Sequence, residues 1–426
     1  MTAVTRAALT LGIFSATLAL VILKPRGRSE AIWTVLGAAA LLGLGLVTPR
    51  DVVAVTLSGK GALLFLLALL LLSALVEASG FFEWAAMHAA RRARGDGRTL
   101  YRNVFVLGAA VTMALSLDTT AVMLTPLVLA FVARLGLPPR PYVIACAFVA
   151  NTGSLLLPIS NLTNLLFVET FDLGFARFAG RMALPQIVAL AATYGLCRLH
   201  FRAELPARFD ASLLDQPTAA IAHRGYFRAS VAVLGLVFAG YFVAAVAHVE
   251  PYVVAFGGVA ILLGYGLATR SVAPRLLLGL SWDLFPFVIG LFVVVRSVEN
   301  LGVASLAAGW LQRHAGAPLT AMVASSAGTA LAANAMNNLP AALVARSAIA
   351  DAHAGEAAIY GALLGANIGP NVVPFGSLAT MLVLGIARKK GQPVGGMEVL
   401  KAGIWMTPLV LLAAIGALAL TFARWR

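Results

Sequence analysis

The sequence predicts an all-α polytopic membrane protein: two inverted repeats, about ten spanning helices, two re-entrant helical hairpins and two broken helices. Three observations carry this. Of the 426 residues, 61% are hydrophobic and only 11% charged, where a soluble globular chain carries about a quarter charged residues. The apolar runs are continuous rather than alternating, and in lipid only helices or closed barrels satisfy their own backbone, so helices are expected. The chain also repeats itself. ANTGSLLLPISNLTNLL (150–166) aligns without a gap on ANIGPNVVPFGSLATML (366–382), with six of seventeen positions identical. Two weaker pairs keep the same order: VEASGFFEWAA (76–86) with VENLGVASLAA (298–308), and LDTTAVML (117–124) with MNNLPAAL (336–343). The three offsets are 222, 219 and 216 residues.

Residues 1–60 hold the N-terminal scaffold helices, with apolar runs at Ala7–Leu23 and Ala31–Val47. The first run does not read as a cleaved signal. Arg6 is the only charge before it, no A-x-A site follows, and Lys24, Arg26 and Arg28 lie on its far side. Residues 61–201 form the first repeat: a long helix ending near Glu77, a hairpin over 103–134 with SLDTT at its tip, a broken helix over 140–171, and the run Met182–Leu199. The hairpin arms are roughly 15 residues each, short of the about 20 a full span needs. Residues 202–228 are a cytoplasmic linker. Residues 229–426 form the second repeat, with runs at Ala229–Val246, Tyr252–Leu267, Leu284–Val295 and Ile404–Ala423. Its hairpin covers 318–350 with NAMNN at the tip, and its broken helix covers 356–388.

With both termini external, 21 of the 31 basic residues fall inside, which matches the positive-inside bias of a multi-pass protein of the bacterial inner (plasma) membrane. The net charge of +14 sits in short loops, so it points to anionic membrane lipid and not to nucleic acid. On this topology the two hairpins enter from opposite sides. Inverted repeats whose broken helices meet near the midplane mark a secondary transporter.

Non-helical backbone survives at membrane depth only where it lines a cavity or is buried in protein. Pro158 and Pro374 lack the N–H a helix needs, and Gly153 and Gly369 permit unusual dihedrals or close approach. A single such residue would simply kink a helix or bind it to a neighbour. Two matching breaks beside two polar tips predict a shared binding site: Asn151, Ser154, Ser160, Asn161 and Thr163 from one half, Asn367, Asn371, Ser377 and Thr380 from the other, and Asn337 and Asn338 from the second tip. Asp118 at the first tip, flanked by Thr119 and Thr120, is the candidate proton carrier, because an intramembrane carboxylate marks an ion or proton path by default; the bland reading is a tip wetted by cytoplasmic water. Its repeat-mate, Asn337, is neutral. Glu77 and Glu299 occupy matching positions near helix ends, and Arg296, three residues before Glu299, suggests a structural ion pair.

Other chemistries are poorly served. Gly59-Lys60-Gly61 lacks the upstream glycine and following Ser/Thr of a phosphate loop, so ATP hydrolysis by this chain is not expected. The six histidines fall in loops or near helix ends, which argues against an enzyme; no metal site and no cofactor is expected. Cys146 and Cys197 read as small buried hydrophobes.

EASGFFEWAA (77–86), LTPLVLA (124–130), SNLTN (160–164), MNNLPAALV (336–344) and GPNVVPFGSLATMLVL (369–384) together resemble an ArsB-type arsenite permease, the arsenical pump membrane protein of the ion transporter superfamily. The resemblance covers essentially the whole chain. It implies efflux of arsenite and antimonite driven by the proton-motive force, and it allows a soluble arsenite-stimulated ATPase as partner. Members of the family often carry aspartate where this chain has Asn151 and lysine where it has Asn371, so an ion pair would here be an amide pair. Trivalent arsenic in neutral water is mostly an uncharged trihydroxy species; two separated cysteines cannot supply the three soft thiolates that tight capture needs. A hydrogen-bonding site is therefore expected. The alternative is a carboxylate or sodium-coupled carrier of the same superfamily, for which Ser160-Asn161-Leu162-Thr163 offers a cradle in one half only.

Overall fold

The computed structural model describes residues 2–314 and 316–424. Met1, Ala315, Trp425 and Arg426, and the side chains of Arg26 and Arg424, lie outside it; Arg26 belongs to the basic cluster above, and 425–426 close the second repeat.

The described chain is helical throughout. The N-terminal helices are α1 (Ala3–Leu23), α2 (Glu30–Gly43) and α3 (Pro49–Ser58), followed by α4 (Lys60–Ala78) and α5 (Phe81–Arg91). The first hairpin has α6 (Gly97–Ala114) as one arm. The other is continuous from α7 (Leu117–Thr119) through a π-turn (Thr120–Leu124) into α8 (Thr125–Arg134). The π-turn has a local cause: Pro126 carries no N–H, and Thr125 N reaches back five residues to Thr120 O. The first broken helix is α9 (Pro139–Thr152) and α10 (Leu162–Phe171), and α11 (Phe175–His200) completes that half.

After the linker come α12 (Arg224–Val246), α13 (Pro251–Ala268), α14 (Leu284–Glu299) and α15 (Val303–His314). The second hairpin is α16 (Pro318–Met336) and α17 (Asn338–Asp351). The second broken helix is α18 (Glu356–Ile368) and α19 (Leu378–Lys389), and α20 (Gly396–Arg424) ends the chain. Among the described residues eight helices are long and apolar enough to cross a membrane. The run Ala31–Val47 yields a shorter helix than its length suggests. α2 stops at Gly43, and Gly45, at φ +65°, turns the chain out.

Both breaks leave helix ends without partners, and one amide side chain satisfies each. Gln186 on α11 donates to Thr152 O (2.9 Å) and accepts from Leu155 N (2.9 Å) and Leu156 N (3.0 Å). Asn334 on α16 donates to Gly369 O (2.8 Å) and accepts from Val373 N (3.2 Å). The hairpin arm α16 lies along α18 through small residues. A Cβ on Gly361 would stand 2.6 Å from Met322 O, and one on Gly369 would stand 2.6 Å from Ala330 Cα, with Gly365 equally tight against Ser326 between them. Gly153 is glycine for the same reason. Its φ of −71° is ordinary, but a Cβ there would crowd Thr112 at 3.2 Å.

One end of the bundle is strongly basic, and the linker folds onto it. Arg134 pairs with Asp215, Arg140 with Glu204 and, at 3.2 Å, with Glu398. Arg91 donates to Leu214 O at 2.9 Å. The Arg134 guanidinium holds the exposed Asp215 carboxyl below its usual range.

Candidate functional site

Four helix N-termini converge at the centre. Each is closed by a side chain accepting from the backbone: Ser116 from Thr119 N (3.2 Å), Asn161 from Thr163 N (3.1 Å), Asn337 from Leu339 N (3.4 Å) and Ser377 from Thr380 N (3.1 Å). These are the starts of α7, α10, α17 and α19: a hairpin tip and the second half of a broken helix from each repeat. The remaining N–H groups and the aligned helix dipoles give the place where they meet a positive field. A cavity of about 50 Å³ lies there, walled by Asp118, Asn161, Thr163, Asn337, Asn338 and Leu378.

Asp118 supplies the negative charge. It is half-buried, and among the described residues its carboxylate takes no hydrogen bond. Thr119 beside it bonds to Ser73 Oγ (2.9 Å) and Ser116 Oγ (3.1 Å), whereas Thr120 turns away, fully buried, to Thr112 Oγ1 at 2.8 Å. The Thr163 hydroxyl is buried without a hydrogen-bond partner. Asn337 holds φ +81° and ψ 155°, a conformation that costs a non-glycine residue roughly 1–3 kcal/mol. Its Nδ2 donates to Phe375 O at 3.0 Å, which ties the second tip to the second break.

A larger cavity of about 550 Å³ shares Asp118 as a wall. It runs along α4 past Ser73 to Glu77 and is bounded by Glu30, Arg275 and Asp283. One turn beyond Glu77, Gly80 packs against the linker at Ala220, so this cavity lies at the basic end. At the opposite end the helices are tied together. Ser347 donates to Glu299 Oε1 (2.5 Å), Arg346 to Thr170 (3.3 Å), and Arg296 pairs with both Asp51 (3.5 Å) and Glu299 (3.4 Å). The Arg296–Glu299 pair is the one its spacing suggested.

The remaining polar residues of the breaks bond to one another, not to a cavity. Asn151 Nδ2 donates to Asn371 Oδ1 (2.8 Å) and Thr380 Oγ1 (3.1 Å), and Asn371 Nδ2 to Thr152 Oγ1 (3.0 Å). Asn367 Oδ1 accepts from Ser154 Oγ (2.6 Å) and Asn161 Nδ2 (2.7 Å), while its Nδ2 donates to Asn164 Oδ1 (2.9 Å). Ser160 donates to Met113 O (2.9 Å), and Ser377 bonds to Thr380 (3.0 Å). Thus Asp118, Thr119, Asn161, Thr163, Asn337 and Asn338 line cavities, and Asn151, Ser154, Ser160, Asn367, Asn371, Ser377, Thr380 and Thr120 form buried supports. Gly153 closes α9, Pro158 opens the 3₁₀ turn to Ser160, Gly369 follows α18, and Pro374 lies in the second break.

Ser73, Thr152 and Gln186 were not singled out by the sequence, and Ser116 and Asn334 entered only as members of the tips SLDTT and NAMNN, without a role of their own. The carboxamide of Gln186 inside an apolar run was the available signal. Cys146 and Cys197 are buried, and neither borders these two cavities. Among the described residues no three His, Cys, Asp or Glu side chains gather as a metal site.

The sequence model of the arsenical pump membrane protein family matches residues 9–421. An arsenical pump membrane protein of Yersinia enterocolitica is 35% identical over 417 residues, 96% of this chain and 97% of its own. That of Escherichia coli K12 is 35% identical over 422 residues, with the same coverage. The crystal structure of the YdaH transporter of Alcanivorax borkumensis, described as having an unusual topology, superposes with a TM-score of 0.60 over 87% of each chain at 16% identity. At that identity the likeness concerns the fold.

Proposed function

The chain belongs to the arsenical pump membrane protein family, and from that premise we propose that it exports arsenite and antimonite from the cytoplasm in exchange for protons, by alternating access. One observation carries the reading: a carboxylate without a hydrogen-bond partner, Asp118, at the meeting point of four helix N-termini, beside a cavity that lies at the basic end. The basic end is taken as cytoplasmic.

The cargo is then an uncharged trihydroxy species. Its oxygens accept from the helix-end N–H groups and the amides of Asn337 and Asn338, and its O–H groups donate to Asp118 and Thr163. No thiol takes part, so binding is weak enough for release. Ionised Asp118 is a charged acceptor; protonated from the outer side, it turns one oxygen into a donor and keeps only a neutral, weaker acceptor. A hydrogen bond to a charged group contributes about 1.5–3 kcal/mol, and that is the scale of coupling free energy between linked sites, about 1–3 kcal/mol. Proton and cargo thus compete at one carboxylate, which couples their movements. The buried amides hold the two breaks in register. A soluble arsenite-stimulated ATPase would act from the basic face.

The test is arsenite uptake into everted membrane vesicles, for wild type and Asp118→Asn, with and without a protonophore. Uptake that collapses under both treatments is expected. Uptake indifferent to both would move the coupling to another carboxylate, Glu77 first. Four helix N-termini also favour an anion, which keeps a carboxylate or sodium-coupled carrier as the second reading. Absent arsenite uptake together with sodium-dependent uptake of a labelled dicarboxylate would establish it instead.

A further inference from the structure

The outer face of α12 carries a pattern unrelated to the central site. Arg224 and Arg228 stand one turn apart at its start, and with Thr218, Ile221 and Phe227 they border a hollow of about 350 Å³. Both arginines are exposed, and among the described residues neither makes an ion pair or a hydrogen bond. Phe227 meets the edge of Trp84 at 5.4 Å and lies 6.5 Å from Phe81, while Trp84 stacks on His88 at 5.2 Å. Tryptophan side chains such as Trp84 gather at the water–lipid boundary.

The opposite face of α12 is fixed inward: the Tyr226 hydroxyl donates to Leu75 O at 3.1 Å, and Ser230 is fully buried. Outward, positions 224, 228, 231, 235, 238 and 242 follow the helical period in a single stripe. Val231, Phe238 and Phe242 are 42%, 38% and 39% exposed. A Cβ built on Gly235 would meet nothing within 4 Å, so the stripe has a notch there, with the Phe238 and Phe242 rings packed edge-to-face at 5.6 Å below it.

We infer that this stripe binds one anionic phospholipid, its phosphate held by Arg224 and Arg228 and an acyl chain laid along Val231, Gly235 and Phe238. Guanidinium groups suit phosphate because they donate in a fixed fork. The arginines sit in the first two turns of a spanning helix, at headgroup depth, with apolar surface directly beneath; a lipid reaches that place laterally, and its two chemistries match the two halves of the stripe in order. Free phosphate would use the arginines alone.

The experiment uses the purified full chain in non-ionic detergent, with native mass spectrometry and thermal shift. The probes are phosphatidylglycerol, phosphatidylcholine and glycerol 3-phosphate. One phosphatidylglycerol should be retained per chain, with little phosphatidylcholine. Binding should weaken about thirtyfold in the Arg224→Ala/Arg228→Ala double variant and recover in Arg224→Lys/Arg228→Lys. Gly235→Trp should weaken lipid binding with both arginines intact, and it decides the matter if the double variant fails to fold. Equal retention of phosphatidylcholine, or unchanged phosphatidylglycerol binding in Gly235→Trp and in the double variant, overturns the assignment. Glycerol 3-phosphate stabilising the chain as strongly as the lipid would make this a free-phosphate site and overturn it too.

Discussion

The side-chain amide of Asn151 donates to Oδ1 of Asn371 at 2.8 Å, joining residues 220 positions apart at the heart of the two broken helices. Asn371 returns the contact one residue along, to Thr152 Oγ1. Both asparagines are almost fully buried. The breaks are therefore held by neutral hydrogen bonds, which need no compensating charge.

Asn151→Asp alone would bury an ion with no cation beside it. It should destabilise the chain by about 3–5 kcal/mol, and adding Asn371→Lys should recover most of that loss. Thermal unfolding in detergent measures it. A double variant no more stable than the single one would show that the two positions do not act as a pair.

Gln186→Leu should be more damaging than Asn334→Leu. The first strands three backbone groups of the first break and the second strands two of the second break. Each buried group left unpaired costs about 1–3 kcal/mol. The reverse ranking in the same unfolding assay would contradict the clamp assignment.

Asn337→Gly separates folding from transport. Glycine adopts the backbone conformation at residue 337 without strain, and that relief offsets the lost cap on Leu339 N and the lost bond to Phe375 O, so stability should hold within about 1 kcal/mol. The same change removes an amide from the cavity wall, so arsenite uptake by vesicles should fall. Stability falling while uptake persists would reverse the roles given to this residue.

Cys146→Ala combined with Cys197→Ala should transport arsenite at the wild-type rate, since neither thiol borders the central cavities. Abolished uptake in a double variant that still folds would require a thiolate in the pathway.

The linker should loosen in acid. Arg134 lowers the folded-state pKa of Asp215, so this contact contributes above the usual carboxylate range and is lost as pH falls through the lowered value. Hydrogen exchange at 211–217 should rise at low pH in wild type. In Asp215→Asn it should be raised already at neutral pH. A linker equally protected in both would place its anchoring elsewhere.

Much of this was legible in the sequence, for identifiable reasons. Proline and glycine inside apolar runs announce breaks because the backbone has few alternatives there. Asp118 stood out because an intramembrane carboxylate is costly. What could not be read was which amides face a cavity and which face one another: Asn161 and Asn367 have the same composition signal, and only folding decides that one borders Asp118 while the other bonds to Ser154, Asn161 and Asn164. Ser73 carried no motif at all, and Asn334, the first residue of NAMNN, gave no sign that it clamps the second break. The end of α2 was hidden because leucine and valine continue past Gly45, whose positive φ alone turns the chain.

The glycine seam between α16 and α18 has a mechanical meaning. With Gly361, Gly365 and Gly369 meshed against Met322, Ser326 and Ala330, backbone rests on backbone, and the two helices pack as one closely fitted pair. The hairpin arm and the broken helix are one lever. A displacement of this block would carry Asn367 and Asn371 along, and through their bonds the first break as well, so on the alternating access proposed above the motion falls at surfaces outside the block.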